Sequence, residues 1–153
     1  MTTIETTTII RAPVERCFDL ARSVEVHLAG NVHWGEQAVA AGGVTSGLLR
    51  LSDSVTWRAR HFGIRFQLTS RITAFEPPGY FQDTMTRGPF GSMRHDHFFR
   101  AVSSETTEMR DVFSFSAPFP ILGRLAEVLI MRRYMLGLLH ERNEAIRRIA
   151  EVP

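Results

Sequence analysis

Titratable residues occupy positions that should be apolar in two neighbouring stretches of this sequence. In a β-strand alternate side chains share a face, so His95 and His97 lie beside apolar neighbours in one stretch, and Asp111 does so in the next. Burying such groups is costly unless they pair or meet a polar ligand. A histidine beside a carboxylate can also transfer protons near neutral pH. His95, His97 and Asp111 are therefore the candidate catalytic residues.

The preceding predicted strand, Tyr80–Arg87, carries two further charged residues on one face, Asp83 and Arg87. Because neighbouring strands lie about 4.8 Å apart, these side chains and the candidate catalytic residues can form one network. Three interpretations stay open. The residues satisfy one another as a structural network, they bind the polar end of an apolar ligand, or they act as acid and base in a dehydration or cyclisation.

Metal binding and other kinds of catalysis have weaker signals. His95 and His97 place two imidazoles on one strand face, and Asp83 or Asp111 could complete a metal site. The sequence has no Cys/His pattern at zinc-finger spacing and no His-Glu-x-x-His run. It also has no Gly-x-Ser-x-Gly elbow and no phosphate-binding glycine loop. We predict neither a metal nor a cofactor.

Composition and charge indicate an ordinary globular domain. The chain has 153 residues, with 44% hydrophobic and 22% charged residues, which predicts a single domain spanning residues 1–153. The formal net charge is +2, and all 18 basic residues are arginines dispersed along the chain. A nucleic-acid site would need them clustered on one element, so no nucleic-acid partner is expected.

The ends, the hydropathy and the cysteine content predict a cytoplasmic protein. The first residues show no basic region followed by an apolar run, so no signal peptide is visible. No run of about 18 apolar residues occurs, so no integral membrane segment is expected. Cys17 is the single cysteine, which excludes an intrachain disulfide and fits a reducing compartment.

The clearest local pattern is a β-hairpin over Ser54–Ala74. A two-residue turn at Phe62 and Gly63 pairs His61 with Ile64 and puts apolar side chains of both strands on one face. That face carries Val55, Trp57, Ala59, His61, Ile64, Phe66, Leu68 and Ile72. The opposite face is basic and wet, with Arg58, Arg60, Arg65 and Arg71.

The remaining elements complete an α+β domain. Thr and Ile favour a first strand over Thr2–Arg11, Pro13 favours a helix start, and a second short helix is predicted over Ser23–Leu28. A short strand near Glu36–Ala40 precedes the hairpin, and a long amphipathic helix is predicted over Ile121–Glu151. The expected architecture is one curved antiparallel sheet of about seven strands, two short helices after strand 1, and a long C-terminal helix.

This order of elements resembles the helix-grip fold of the START-like superfamily, also called SRPBCC, which includes polyketide cyclase/dehydrase-like proteins, lipid-transfer domains and plant pollen allergens. Several segments resemble a bacterial branch of that superfamily without a defined reaction. They are Val55–Gly63, His95–Phe99, Asp111–Phe115, Leu122–Glu127, Arg133–Met135 and Glu141–Asn143. The resemblance covers nearly the whole chain.

The resemblance implies a mostly apolar cavity between the sheet and the last helix. Carried onto this sequence, the ligand-binding residues from the strands would be Trp57, His61, Phe66, Leu68, Phe81, Asp83, Met85, Arg87, Phe99, Phe113 and Phe115. The helix would add Leu125, Leu129 and Met135. Cores and pockets share this composition, so the cavity can also be filled by its own side chains.

Three functions remain as hypotheses. The first is the binding of a hydrophobic or aromatic small molecule, such as a lipid, a quinone or a polyketide-like compound. The second is a cyclase or dehydratase that uses a His/Asp acid–base pair. The third is an interaction protein with a self-filled core, whose basic outer sheet face docks a partner. A homodimer is compatible with each of them.

Overall fold

A seven-stranded antiparallel sheet forms the framework of the structure, a computed structural model that describes residues 1–39, 43–117, 125 and 127–153. Its strands are β1 (Thr2–Ile10), β2 (Gln37–Ala38), β3 (Ser54–His61), β4 (Ile64–Glu76), β5 (Tyr80–Arg87), β6 (Ser92–Ser103) and β7 (Thr106–Ser116). Their order across the sheet is β1-β7-β6-β5-β4-β3-β2. The predicted α+β helix-grip architecture with about seven strands is confirmed.

The β3–β4 hairpin has the predicted register. His61 pairs with Ile64, and each pair further along the strands follows from that one. The two turn residues both have positive φ, 53° at Phe62 and 73° at Gly63, as a type I′ turn requires. Glycine adopts this conformation at no steric cost. The turn and the alternation of apolar residues therefore specify the same register.

Helices cover one face of the sheet, which we call the inner face. They are α1 (Val14–Ala21), α2 (Val24–Gly30) and α3 (Arg132–Ala150), with a 3₁₀ turn at Val32–Trp34 and a π-helical turn at Glu127–Met131 just before α3. The predicted start of the last helix, at Ile121, lies outside the described residues. The π-helical turn was not predicted.

Local sequence explains where the two short helices begin. Pro13 is the N-cap of α1, in the extended conformation that proline favours. Ser23 is the N-cap of α2, and its hydroxyl accepts a hydrogen bond from the backbone N–H of Val26 at 3.3 Å. At the other end of α2, a Cβ on Gly30 would lie only 3.4 Å from Cβ of Ala145. Glycine therefore lets α2 pack closely against α3.

The apolar core lies between the helices and the inner face. Phe18 from α1 is 1% exposed and lies among Phe75, Phe81 and Phe99, with ring centroids 5.4–5.6 Å apart. Rings at such distances and tilted angles pack favourably. This aromatic cluster fixes α1 on the sheet.

Polar contacts join α1 to the end of α3. The Arg16 guanidinium donates to the carbonyls of Ala150 and Ile149, both at 2.9 Å, which are among the last carbonyls of a helix without an intrahelical partner. The next residue, Cys17, is fully buried. Burial raises the pKa of its thiol above the ordinary value.

Membrane-spanning character is absent from the described helices, because none combines the length and the apolar composition that crossing a bilayer requires.

Candidate ligand-binding site

A cavity of about 310 Å³ lies between the inner face and α3, at the lower end of the range for small-molecule sites. It brings together many of the predicted site residues. These are Trp57, His61, Phe66, Leu68, Phe81, Asp83, His95, His97, Phe113 and Met135. Phe62, which is 61% exposed, also contributes to the lining. The cavity therefore approaches the surface at the tip of the β3–β4 hairpin.

Other predicted residues lie outside the lining. Phe99 and Phe115 are buried in the apolar core, and Met85 packs at its edge. Arg87 is exposed at the last position of β5, where the pairing with β4 shifts by a bulge, so it does not join the histidines. Asp111 is fully buried and contacts the imidazoles.

Leu125 and Leu129 also lie away from the cavity, with 77% and 65% exposure. Both were assigned to the cavity by the resemblance, as part of the apolar stripe of the helix predicted over Ile121–Glu151. The π-helical turn at Glu127–Met131 adds residues to one turn and so changes the phase of that stripe. Met131, which was not predicted as a site residue, lines the cavity instead.

The inner polar end of the cavity is organised around the buried carboxylate of Asp111. Its Oδ1 atom lies 2.9 Å from Nε2 of His95 and 3.1 Å from Nδ1 of His97. Its Oδ2 atom accepts from the Asn143 amide at 2.9 Å. Such short contacts to an ionised acceptor are the strong class of hydrogen bond. We call Asp83, His95, His97, Asp111, Arg142 and Asn143 the inner cluster.

The last helix supplies the positive charge of the inner cluster. Nη1 of Arg142 donates to Asp111 at 3.3 Å and to the side-chain oxygen of Asn143 at 2.8 Å. Nη2 lies 3.3 Å from Nδ1 of His97 and 3.5 Å from the carbonyl oxygen of Ala21. Arg142 is 7% exposed. A buried guanidinium of this kind is tolerated because it is paired and hydrogen-bonded.

Asp83 completes the inner cluster from β5. One of its carboxylate oxygens, Oδ1, lies 2.7 Å from Nε2 of His97. Burial by itself would raise the pKa of Asp83, but the hydrogen bond and charge of His97 outweigh it and keep the pKa below its usual value. Asp83 is therefore ionised at neutral pH.

Burial and neighbouring charges fix the protonation of His95. Desolvation raises the pKa of Asp111, but Arg142 and the two histidines outweigh it, so that pKa stays well below its ordinary value. For His95, burial and the adjacent His97 lower the pKa to about 4. At neutral pH a neutral His95 thus donates its Nε2–H to an ionised Asp111.

A second polar group, the outer cluster, lines the cavity near α2. It consists of His27, Asn31, Glu36, His61 and Tyr134. Nε2 of His27 lies 2.6 Å from Oε1 of Glu36, to which Asn31 also donates at 2.9 Å. Nδ1 of His61 lies 2.6 Å from the Tyr134 hydroxyl. Burial raises the pKa of Glu36, but contact with His27 more than compensates, so its pKa is lowered.

Three residues of the inner cluster have the spacing of metal ligands. Asp83, His95 and His97 offer ligand atoms within 4.8 Å of one another. In the described geometry, however, Nε2 of His97 is hydrogen-bonded to Asp83 and Nε2 of His95 to Asp111. A metal would have to break the His97–Asp83 contact and sit near the Arg142 guanidinium. The cluster fits a hydrogen-bonded network better than a metal centre.

Arg142 and Asn143 belong to a segment that carries the resemblance but were not predicted as site residues, although a signal was present. They lie three and four residues after Leu139 and four and three residues before Ile146, so they fall within the apolar stripe of α3. Polar residues in an apolar stripe are the same kind of anomaly that marked the two strands. In the outer cluster only His61 carried such a signal, because it lies on the apolar face of the predicted hairpin, whereas His27, Asn31 and Glu36 come from a short helix and loops.

Comparisons with known proteins agree with this architecture. A START superfamily protein from Mycobacterium smegmatis aligns over 97% of both chains with a TM-score of 0.72 at 10% identity. TTHA0849 from Thermus thermophilus aligns over 98% of this chain and 100% of its own, with a TM-score of 0.73 at 17% identity. Major latex-like protein 151 from Panax ginseng covers 99% and 98%, with a TM-score of 0.70 at 11% identity.

The protein therefore has the START-like, or SRPBCC, helix-grip fold. Neither a protein-family model nor a curated protein sequence matches the chain. At identities of 10–17%, the structural likeness establishes the fold alone. Unrelated functions share such folds, so function must be argued from the cavity.

Proposed function

We propose that the protein is a single-domain, cytoplasmic binding protein for a hydrophobic or aromatic small molecule held in the cavity between the inner face and α3. The observation that carries this proposal is a cavity of about 310 Å³ with polar groups at two ends. Between those ends the walls are apolar and aromatic. An apolar site with a few convergent polar groups is the usual form of a ligand site.

The geometry favours binding over a self-filled core. Large side chains such as Trp57 and Phe66 surround the cavity without filling it, whereas protein interiors are normally packed without large voids. The inner cluster is held from both sides, by β5–β7 and by α3. A rigid polar end of this kind orients a ligand without having to reorganise.

A cyclase or dehydratase is the second candidate, because the inner cluster contains two imidazole–carboxylate pairs at 2.7 and 2.9 Å on the cavity wall. General acid–base catalysis works best with a pKa near the operating pH. At about 4, the pKa of His95 makes it a weak base at neutral pH. Binding therefore has the stronger support.

A cavity-blocking variant tests the proposed binding. Ala59 is 6% exposed and lines the cavity, so Ala59→Phe should place a ring in the ligand's space. With the uncharged fluorescent probe N-phenyl-1-naphthylamine, we expect saturable binding to the wild type and at least a tenfold weaker affinity in Ala59→Phe.

The matched control is Ala101→Phe, at an exposed position of β6, which should bind the probe like the wild type. Circular dichroism checks that all three proteins are folded. Undiminished probe affinity in Ala59→Phe would place binding outside this cavity and contradict the proposal. Native mass spectrometry of the purified protein gives an independent measurement, because a natural ligand would appear as added mass that Ala59→Phe lacks.

The enzyme candidate has a separate test once such a ligand is identified. A dehydratase would release a product lighter by one water, and His95→Ala would abolish that mass change. If the ligand stays chemically unchanged after prolonged incubation with the wild type, the enzyme candidate fails and binding remains.

A further inference from the structure

The unused hydrogen-bonding groups of the inner cluster indicate which ligand chemistry fits this end of the cavity. At neutral pH the Nε2–H of His95 is donated to Asp111, so its Nδ1 atom carries a lone pair and can only accept. Among the described residues, Nδ1 of His95 has no hydrogen-bond partner. His95 itself lines the cavity and is 6% exposed.

Asp83 presents a second free acceptor. Its Oδ1 atom is used by His97, and in the described part of the chain its Oδ2 atom has no hydrogen-bond partner. The side chain is 18% exposed and lines the cavity. The His95 ring and the Asp83 carboxylate also lie close together, with a ring nitrogen of one within 4.8 Å of an oxygen of the other, so the two side chains are within reach of the same end of a ligand.

Most donors of the inner cluster are already engaged with one another or with nearby backbone. The two terminal nitrogens of Arg142 contact Asp111, Asn143, Ala21 and His97. Both ring nitrogens of His97 face partners as well, Asp83 on one side and Asp111 with Arg142 on the other. A ligand carboxylate would therefore compete with existing contacts, whereas a ligand donor would meet unused acceptors.

The charge balance points in the same direction. The inner cluster holds two carboxylates, Asp83 and Asp111, against one guanidinium, Arg142, so its fixed charges sum to −1. A proton on His97 would bring the sum only to zero. The outer cluster adds another carboxylate, Glu36. An anionic group entering the cavity would lose hydration without meeting a net positive charge.

We propose that the ligand carries a hydrogen-bond donor, a hydroxyl or an amine, at the end that meets His95 and Asp83, and that carboxylate-headed ligands such as fatty acids are rejected. This inference rests on the proposed binding function and specifies its ligand class. A buried acceptor left unpaired is costly. Sites built around such groups therefore discriminate strongly against ligands that cannot pair with them.

Four compounds with one naphthalene ring and different heads test the inference. They are 2-naphthalenemethanol, 2-naphthylmethylamine, 2-naphthoate and 2-methylnaphthalene, titrated into the intact protein by calorimetry at pH 7.5. We expect the alcohol and the amine to bind at least tenfold more tightly than the carboxylate. The affinity of the methyl compound should lie between those of the alcohol and the carboxylate. Equal or tighter binding of 2-naphthoate would overturn the inference and leave the proposed binding intact. Binding of none of the four would count against both.

A charge-removing variant makes the test specific to the inner cluster. Asp83→Asn keeps an oxygen for His97 and offers an amide N–H₂ to the cavity, so the preference for the alcohol over 2-naphthoate should fall at least tenfold. The matched control is Asp96→Asn, because Asp96 bonds Tyr80 and Gln82 on the opposite side of the sheet and should leave the preference unchanged. An unaltered preference in a folded Asp83→Asn would also overturn the inference.

Discussion

Protonation of a single residue in the inner cluster changes the free energy of unfolding of the whole protein. His95 is the clearest case, because its pKa falls from an ordinary 6.5 to about 4 in the folded state. The unfolded chain therefore takes up a proton below pH 6.5 that the folded protein refuses until about pH 4. Unfolding is favoured within that window, since the unfolded state binds more protons there.

We predict that the free energy of unfolding falls as the pH drops from about 6.5 to about 4, by up to roughly 3 kcal/mol from His95. Asp83 and Asp111, whose pKa values are lowered, add a further loss below their unfolded pKa near 3.8. Urea unfolding at a series of pH values measures the slope. His95→Gln should flatten it, whereas His33→Gln, at an exposed position, should not. An identical slope in His95→Gln and the wild type would contradict this assignment.

At the scale of elements, specific polar contacts add to the apolar packing that joins α1 and α3 to the sheet. Arg142 and Asn143 anchor α3 to β7 through Asp111. Arg16 anchors α1 to the end of α3 through terminal carbonyls. The last helix is thus held at its middle and at its C-terminus, and the cavity lies toward its N-terminal half.

We predict that Arg16→Met destabilises the protein by about 1 kcal/mol, because it removes charged hydrogen bonds to carbonyls at the end of α3 while keeping the aliphatic stem. Urea unfolding at neutral pH gives the change. Arg148→Met, which replaces an exposed arginine of the same helix, should be close to neutral. If the two variants lose equal stability, the contacts of Arg16 at the helix end have no special weight.

The sheet was predictable because independent local signals agree. In the β3–β4 hairpin, the turn residues Phe62 and Gly63 and the alternation of apolar residues specify one register, and the structure has it. The same alternation placed His95 and His97 on the inner face together. Asp83 paired with a histidine because adjacent antiparallel strands align their faces.

Other parts of the site could not be predicted from the spacing of apolar residues alone. A π-helical turn leaves no mark in hydrophobic spacing, so Leu125 and Leu129 were assigned to the cavity while Met131 was missed. Arg87 was assigned to the network because alternation does not reveal the bulge between β4 and β5. The outer cluster depends on loops such as the one carrying Glu36, whose course follows tertiary packing.

At the scale of the whole molecule, the cavity couples ligand binding to stability. A ligand that binds only the folded state adds about 2.7 kcal/mol when its concentration is a hundred times Kd. For a chain of this size, each kcal/mol raises Tm by roughly 2–4 °C. We predict that 2-naphthalenemethanol at that concentration raises Tm by about 5–10 °C in thermal unfolding experiments.

The Ala59→Phe variant provides the internal comparison for this prediction. With the cavity occupied by its own side chain, its Tm should be insensitive to the same concentration of ligand. A shift of equal size in this variant would show that the stabilisation comes from contacts elsewhere on the surface. The experiment needs no knowledge of the natural ligand, since it measures only whether binding in the cavity causes the stabilisation.

The single thiol of the protein is buried where α1 packs against the sheet. Cys17 is fully buried and its thiol faces the carbonyl of Ala12, which the Thr107 hydroxyl of β7 also contacts. A thiol reagent can reach it only when α1 separates from the sheet. The rate at which such a reagent labels the native protein therefore reports the opening of α1. The thiol is thus a built-in probe of local unfolding.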